Sequence, residues 1–375
     1  NKWHIVELFE KEFHETILEV NLSALQYNLN YFRSKLSAHT KVMVMVKAHG
    51  YGAGATSIAR LMQYNRVDYL GVAYVDEGVE LRSNGIQTPI MVMSPTNKSI
   101  QKFLEYNLEP EVYSVTQLEQ LVQVLNGKEL TIHLKIDTGM HRLGFTALEI
   151  DILISILRNN LNLVVASIFT HLAAADIPKE DVFTLSQIKS FQLISEQLKT
   201  ELFIAPLCHV LNSAGIQRFA TYQFDMVRLG IGLYGVGVDN NEQKQLQHIG
   251  VLKSKVIQVK NIPKGETIGY SRKGKFHSDT KIATIAIGYA DGYDRRFSDG
   301  VGVVLINGHA AKVVGNVCMD MTMVDVSSID TKEGDEVIIF SGDLTVSELA
   351  QSIETIPYEI LTNVSERVKR VFIRE

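Results

Sequence analysis

The sequence predicts an α/β chain: a closed parallel (β/α)8 barrel of the TIM type, followed by a β-rich domain. Three observations lead there. In the first two thirds, short apolar runs alternate with amphipathic stretches, the pattern of parallel strands joined by crossover helices. Those runs number eight over about 225 residues, which suits a barrel of roughly 250 residues better than an open doubly wound sheet. The last third then turns to β-branched runs broken by Gly, Asn and Pro, the composition of a compact β domain.

Taken in order, Leu22, Leu25, Leu29, Phe32 and Leu36 fall at three- and four-residue steps and read as a helix entering the barrel. The strands follow at residues 42–47, 69–73, 90–93, 109–113, 131–136, 163–169, 207–211 and 224–229. Between them, segments such as 115–125 and 183–198 carry the helical period. The polar run 239–244 places a boundary near Asn240, giving a barrel over 13–240 and a β domain over 241–375. Strands there are expected at 253–259, 281–287, 302–306, 312–317, 321–326 and 336–340, with one helix at 345–353 opened by a Thr345/Glu348 capping box. Residues 16–20 are expected to pair with the β domain, and residues 1–12, without a clear period, read as a linker.

Composition excludes several function classes. With 375 residues, 46% apolar and 21% charged, the chain can bury a sizeable core in about two domains. A net charge of −5 offers no basic field for nucleic acid, and no apolar run nears the roughly 18 residues of a membrane span. Cys208 and Cys318 cannot build a disulfide framework, and no secretory signal opens the chain, so it reads as cytoplasmic. Nor do its histidines, cysteines and acids show metal-ligand spacing.

The run 42–46 delivers Lys47 to a strand end, where barrels hold their chemistry, and Ala48-His49-Gly50-Tyr51-Gly52-Ala53-Gly54 follows. A lysine snorkelling from the strand beside an ordinary turn is the plainest reading of that fragment alone. A dinucleotide loop fails, because the glycines do not match G-x-G-x-x-G and Asp68 precedes the second strand instead of ending it. A Schiff-base lysine is the third reading. Its amine must be neutral to condense with an aldehyde, and desolvation at a strand end assists that.

Val46-Lys47-Ala48-His49-Gly50-Tyr51-Gly52 resembles the pyridoxal-phosphate motif of the alanine racemases. The resemblance continues through Lys135-Ile136-Asp137-Thr138-Gly139-Met140-His141-Arg142-Leu143-Gly144, Thr170-His171-Leu172-Ala173, His209-Val210-Leu211-Asn212-Ser213-Ala214 and Val227-Arg228-Leu229-Gly230-Ile231. Ile268-Gly269-Tyr270, Ile287-Gly288-Tyr289-Ala290-Asp291-Gly292, Val317-Cys318-Met319-Asp320 and Pro357-Tyr358-Glu359 extend it, in family order, over nearly the whole chain.

The resemblance implies pyridoxal 5'-phosphate joined to Lys47 as an aldimine, and interconversion of L- and D-alanine by two bases, Lys47 on one face and Tyr270 on the other, supplying D-alanine for peptidoglycan. A tyrosine, with an ordinary pKa of about 10, needs positive charge or hydrogen bonds to act as a base near neutrality. Arg228 would donate to the pyridine nitrogen and, as a guanidinium, could not give that proton up. The ring would then be a weaker electron sink, which disfavours side reactions. Tyr51, Ser213, the amides of Gly230 and Ile231, and Tyr358 would hold the phosphate, with Asn212 beside them and His171 supporting the ring or Arg228. Arg142 would meet the phenolic oxygen and the substrate carboxylate. Lys135 is expected to be carbamylated, an anion able to hydrogen-bond Arg142. Tyr289 and Met319, with Tyr270, would cross to a neighbouring subunit, implying a homodimer with composite sites. A fused ligase domain would account for the start without Met.

Read by themselves, the same residues allow plainer roles: Tyr270 a hairpin aromatic, Arg228 a surface ion-pair partner, Ser213 a helix cap, His171 structural and His209 core. Two departures from the family pattern stand out, Asn316 where many relatives carry arginine and His49 where asparagine is usual. A serine or broad-specificity racemase, a decarboxylase on a similar scaffold and a non-catalytic pyridoxal-phosphate carrier are the rival functions. Arg228 argues against the decarboxylase, which would pair an acid with the pyridine nitrogen, and Tyr270 and the β domain argue against the carrier.

Overall fold

The computed structural model describes residues 15–96 and 99–374; the linker expected at 1–12 lies outside them. The chain divides into two units, residues 23–247 and the described part of 1–22 together with 248 onward.

It opens on strand β1 (Ile17–Asn21), part of the β unit, and runs directly into helix α1 (Leu22–Arg33), which buries Leu25, Leu29 and Phe32. The barrel proper then runs β2 (Lys41–Met45), α2 (Lys47–Tyr51), α3 (Ala55–Tyr64), β3 (Tyr69–Val72), α4 (Val75–Ser83), β4 (Ile90–Val92), α5 (Ile100–Glu105) and β5 (Glu109–Val112). It continues through α6 (Val115–Leu125), β6 (Leu130–Lys135), α7 (Ile150–Arg158), β7 (Leu163–Phe169), α8 (Asp181–Leu202), β8 (Leu207–His209), α9 (Ser213–Arg218) and β9 (Met226–Leu229). Most residues of these strands are apolar because barrel interior and helix layer bury them from both sides, with polar exceptions such as Glu111, His133, Lys135 and Arg228. All pair in parallel, in the order β8-β7-β6-β5-β4-β3-β2-β9. The seam between β8 and β9 is bridged by Asp225 N–H donating to Cys208 O at 3.1 Å and Arg228 N–H to Leu211 O at 2.9 Å. Asp225 Oδ2 also accepts from Cys208 N at 2.7 Å, adding a side-chain bond to the two backbone bonds across this seam.

After α10 (Asn240–Gln243), the β unit is organised around the long strand β10 (Gly250–Ile262). It adds β11 (Thr267–Ile268), β12 (Gly274–Lys275), β13 (Thr280–Ile285), β14 (Val303–Ile306), β15 (His309–Lys312), β16 (Thr322–Asp325), β17 (Glu336–Phe340) and, after helices α11 (Val346–Ser352) and α12 (Pro357–Thr362), β18 (Lys369–Ile373). β1 lies between β10, antiparallel with Ile17 opposite Lys253, and β18, parallel with Ile17 opposite Lys369. Thr345 and Glu348 form the expected capping box at the start of α11. Several elements go beyond the sequence reading, among them the short pair β11 and β12, β18 and α12. β18 reads Lys-Arg-Val-Phe-Ile with every residue half-buried, so no apolar alternation announces it, and α12 is a short helix of six residues opened by Pro357. The strand expected at 312–317 is reduced to the end of β15 and one bridge, Val313 to Val324.

Candidate active site

Lys47 follows β2 and starts α2, which is no ordinary helix. Ala48, His49, Gly50 and Tyr51 have φ of 52°, 54°, 62° and 51°, a left-handed turn in which only one residue is glycine. L-residues resist this conformation by roughly 1–2 kcal/mol each. Tertiary contacts hold it: Glu77 Oε1 accepts from Ala48 N and Oε2 from Ala73 N, both at 2.6 Å, while Tyr51 stacks on Tyr234 with ring centroids 4.4 Å apart. The Lys47 amine is half-buried, and its pKa is lowered first by desolvation, then by Arg142 and Lys135, with Glu77 and Glu111 opposing. That moves it toward the neutral form a carbonyl-condensing amine requires.

Arg228, on β9, is buried, and both of its terminal nitrogens are engaged. Nη1 donates to His209 Nδ1 at 2.7 Å; Nη2 donates to Thr170 O at 2.7 Å and Val210 O at 3.1 Å, and lies 3.4 Å from His171 Nδ1. Burial pulls its pKa down to about 10, which still leaves it charged at neutrality. His209 is therefore more than core packing. Since its Nδ1 accepts from Arg228, its Nε2 carries the proton and donates to Ser167 Oγ at 2.8 Å. The serine then donates to His133 Nδ1 at 2.6 Å, and His133 Nε2 donates to Glu109 Oε2 at 2.8 Å. One consistent set of tautomers thus runs through the barrel interior from Arg228 to Glu109. Burial first, and Arg228 second, hold His209 and His171 well below the usual histidine range, so both stay neutral.

Next to the arginine, α9 and the turn after β9 form a cradle. Ser213 Oγ accepts from Gly230 N at 3.0 Å and Gly232 N at 3.2 Å, leaving its own O–H to donate. The Gly230 amide is thus engaged by the serine, and buried Ile231 turns its carbonyl back to Tyr234 N at 3.0 Å. A Cβ on Gly230 would stand 2.9 Å from the Tyr51 hydroxyl and 3.8 Å from both Ser213 Oγ and Met45 Cγ, so glycine keeps open a space between two hydroxyls. Asn212 caps α9, its Oδ1 accepting from Gly215 N at 2.9 Å; the capping role weighed for Ser213 belongs to its neighbour. Hydroxyl donors at a recess kept open by glycine suit a phosphate group, and the desolvated Lys47 amine suits its aldehyde.

Lys135 ends β6. Its Nζ donates to Glu111 Oε1 at 3.1 Å, so its anionic partner is a β5 side chain that the sequence reading passed over. Arg142 is exposed and acts on Lys47, Lys135 and Glu111 through its charge.

The other named residues belong to the β unit. Tyr270 is 72% exposed in an irregular turn, where Asn316 Nδ2 donates to its carbonyl at 3.1 Å. The position that departs from the family pattern thus supports the turn carrying Tyr270. Tyr289 N donates to Cys318 O at 2.9 Å and Ala290 N to Met319 O at 3.0 Å, bringing Tyr289 and Met319 together. Arg367, also unnoticed in the sequence, ties the two segments by donating to Asp291 Oδ1 and Asp320 Oδ1, both at 2.7 Å. Tyr289, Met319 and Tyr358 are all exposed. Among the described residues no group of three His, Cys, Asp or Glu could hold a metal ion, and no helix is long and apolar enough to cross a membrane.

An eight-stranded barrel with a desolvated lysine after its first strand, a buried arginine and a glycine recess between two hydroxyls, joined to a β-rich domain, defines a class of lysine-dependent barrel enzymes. Comparison with known proteins makes this specific. Models of the alanine racemase N-terminal and C-terminal domains match residues 20–237 and 249–372, and the chain belongs to the alanine racemase family. It is 36% identical over 372 residues to alanine racemase 1 of Oceanobacillus iheyensis, covering 96% of this chain and 99% of that one. Among solved structures, alanine racemase of Clostridium difficile 630 superposes with a TM-score of 0.90 at 34% identity, over 96% of each chain. That of Bartonella henselae, described with covalently bound pyridoxal phosphate, gives 0.88 at 27% identity over 96% of this chain and 99% of that one.

Proposed function

We propose that this protein interconverts L- and D-alanine with pyridoxal 5'-phosphate as cofactor, supplying D-alanine for peptidoglycan. The observation that carries this reading is the pairing of a desolvated Lys47 amine with an arginine whose donors are fixed by His209 and two carbonyls, in a chain of this family. The cofactor, when bound, supplies a carbonyl for the amines and withdraws electrons from the substrate Cα. Tyr51 and Ser213 would hold its phosphate, Gly230 leaving the space. Arg228 would face its ring nitrogen and deny it a proton, because a guanidinium held by this many acceptors does not release one.

Racemisation then needs a proton taken from one face of Cα and returned on the other. Lys47 Nζ serves one face and Tyr270 Oη the other. The barrel would contribute the lysine, and the exposed Tyr270, Tyr289, Met319 and Tyr358 of a second copy would complete the site, making an isologous homodimer. Arg142 would bind the substrate carboxylate. We place the enzyme in the cytoplasm, in keeping with two free cysteines, Cys208 and Cys318.

The test is incubation with L-alanine or L-serine in deuterated water, following chirality and α-hydrogen exchange. Inversion with exchange on alanine is expected; no exchange on either substrate refutes the reading. Full specific activity in a proven monomer refutes the composite site.

A further inference from the structure

Glu111 has no role in the reading above, yet its environment is unusual. It is fully buried on β5, its Oε1 accepting from Lys135 Nζ at 3.1 Å, while its Oε2 is buried without a hydrogen-bond partner among the described residues. An unsatisfied carboxylate oxygen inside a barrel is costly unless charge compensates it. The compensation here comes from Lys135, Arg142 and Arg228, all of which act on Glu111, and Glu111 acts in turn on Lys47. The Phe169 ring anchors two of these cations, with Lys135 Nζ 5.6 Å and Arg228 Cζ 5.2 Å from its centroid.

We propose that Glu111 is a positioning residue of this active site: its carboxylate supplies the buried negative charge among Lys135, Arg142 and Arg228, so Lys135 works as an unmodified ammonium and not as a carbamate. Three arguments support this, and all rest on the racemase reading for their functional meaning. First, an anion against Lys135 is needed, since a lysine beside an arginine repels it, and Glu111 already fills that place. Second, carbamylation would join the amine nitrogen to the carbon of CO2, releasing one proton, and would set a second anion against Glu111 in the same buried space. Like charges at such a distance disfavour one another strongly. Third, Oε2 is buried with no hydrogen-bond partner among the described residues, so this interior already holds more acceptors than donors, and the two oxygens of a carbamate would add to that excess. Desolvation does raise the Glu111 pKa, to about 7, and lowers that of Lys135. The permanent charges of Arg142 and Arg228 favour the ionised pair over the neutral one, because net charge is equal and only the former puts an anion among them.

The experiment has a readout independent of turnover. Holoenzyme is equilibrated with 13C-bicarbonate and examined by 13C NMR, with Lys135→Met as control. The expected result is no carbamate resonance in the wild type beyond the control; a stoichiometric signal lost in Lys135→Met overturns the proposal even if the enzyme racemises alanine normally. In parallel, Glu111→Gln, nearly isosteric, should lower kcat/KM by roughly 10- to 100-fold, with Glu111→Asp recovering part of it and both variants melting cooperatively. Glu111→Gln should also acquire a 13C carbamate signal, because its Lys135 amine has lost the carboxylate that kept it charged. Wild-type kcat/KM in a folded Glu111→Gln variant refutes the assignment, as does a carbamate signal already present in the wild type.

Discussion

Replacing Ser167 by alanine tests the buried chain behind Arg228. The hydroxyl accepts from His209 Nε2 at 2.8 Å and donates to His133 Nδ1 at 2.6 Å, and all three side chains are fully buried. Alanine removes little volume but strands one donor and one acceptor. Each unsatisfied buried group costs about 1–3 kcal/mol, so the substitution should destabilise the barrel by about 2–6 kcal/mol. For a unit of this size each kcal/mol lowers the melting temperature by about 2–4 °C, so a fall of about 5–20 °C is expected. Activity should fall as well. If His209 reverses its tautomer to spare Nε2, its Nδ1–H meets the guanidinium donor and pushes Arg228 from its place. Calorimetry of wild type and variant, together with racemisation rates, reads both effects. A melting temperature within 1 °C of wild type would show that these hydrogen bonds do not form a continuous chain, and the tautomers assigned from it would be wrong.

Further expectations concern the lysine, the cradle and the two bases. In enzyme stripped of cofactor, the rate at which Lys47 condenses with added pyridoxal phosphate should rise with pH and level off below the usual lysine range, since burial lowers its pKa; Arg142→Gln, removing the second cause of that lowering, should shift the profile to higher pH, and an unmoved profile contradicts the electrostatics. Gly230→Ala puts a carbon 2.9 Å from a Tyr51 hydroxyl fixed by its stack on Tyr234, an overpacking of about 1–3 kcal/mol, so cofactor affinity should weaken by about 10-fold or more in equilibrium titration. Asn316→Ala removes the bond to the Tyr270 carbonyl, worth about 0.5–1.5 kcal/mol, and should slow racemisation about 2- to 10-fold with the melting temperature little changed. Lys47→Ala and Tyr270→Phe should impair opposite directions of proton transfer in deuterium-exchange assays; full turnover in both would disprove the base assignment.

Much of the fold can be read from residue order. A strand buried on both faces tends to be apolar along its length, and a surface helix to be apolar at every third or fourth residue, so the apolar runs and their intervening stripes declare the barrel. Lys47 is conspicuous because a charge ends the first of those runs. Local chemistry also declared the Thr345/Glu348 cap.

Other features depend on pairings that no local pattern encodes. Glu111 sits in a strand reading Glu-Pro-Glu-Val, and only the register of β5 on β6, with Glu111 opposite His133, brings it within reach of Lys135 two residues on. The left-handed turn at 48–51 runs against the preferences of Ala, His and Tyr, and it is held by Glu77 and Tyr234, which are distant in sequence. His209 looked like packing because its side-chain partners lie on two other strands, Ser167 on β7 and Arg228 on β9, with His133 on β6 reached only through Ser167. By itself, then, the sequence determined which segments are buried and where a reactive amine stands. The tertiary structure decided which polar groups share the interior with it, because a buried charge is tolerated only where distant strands bring its partners into hydrogen-bond range.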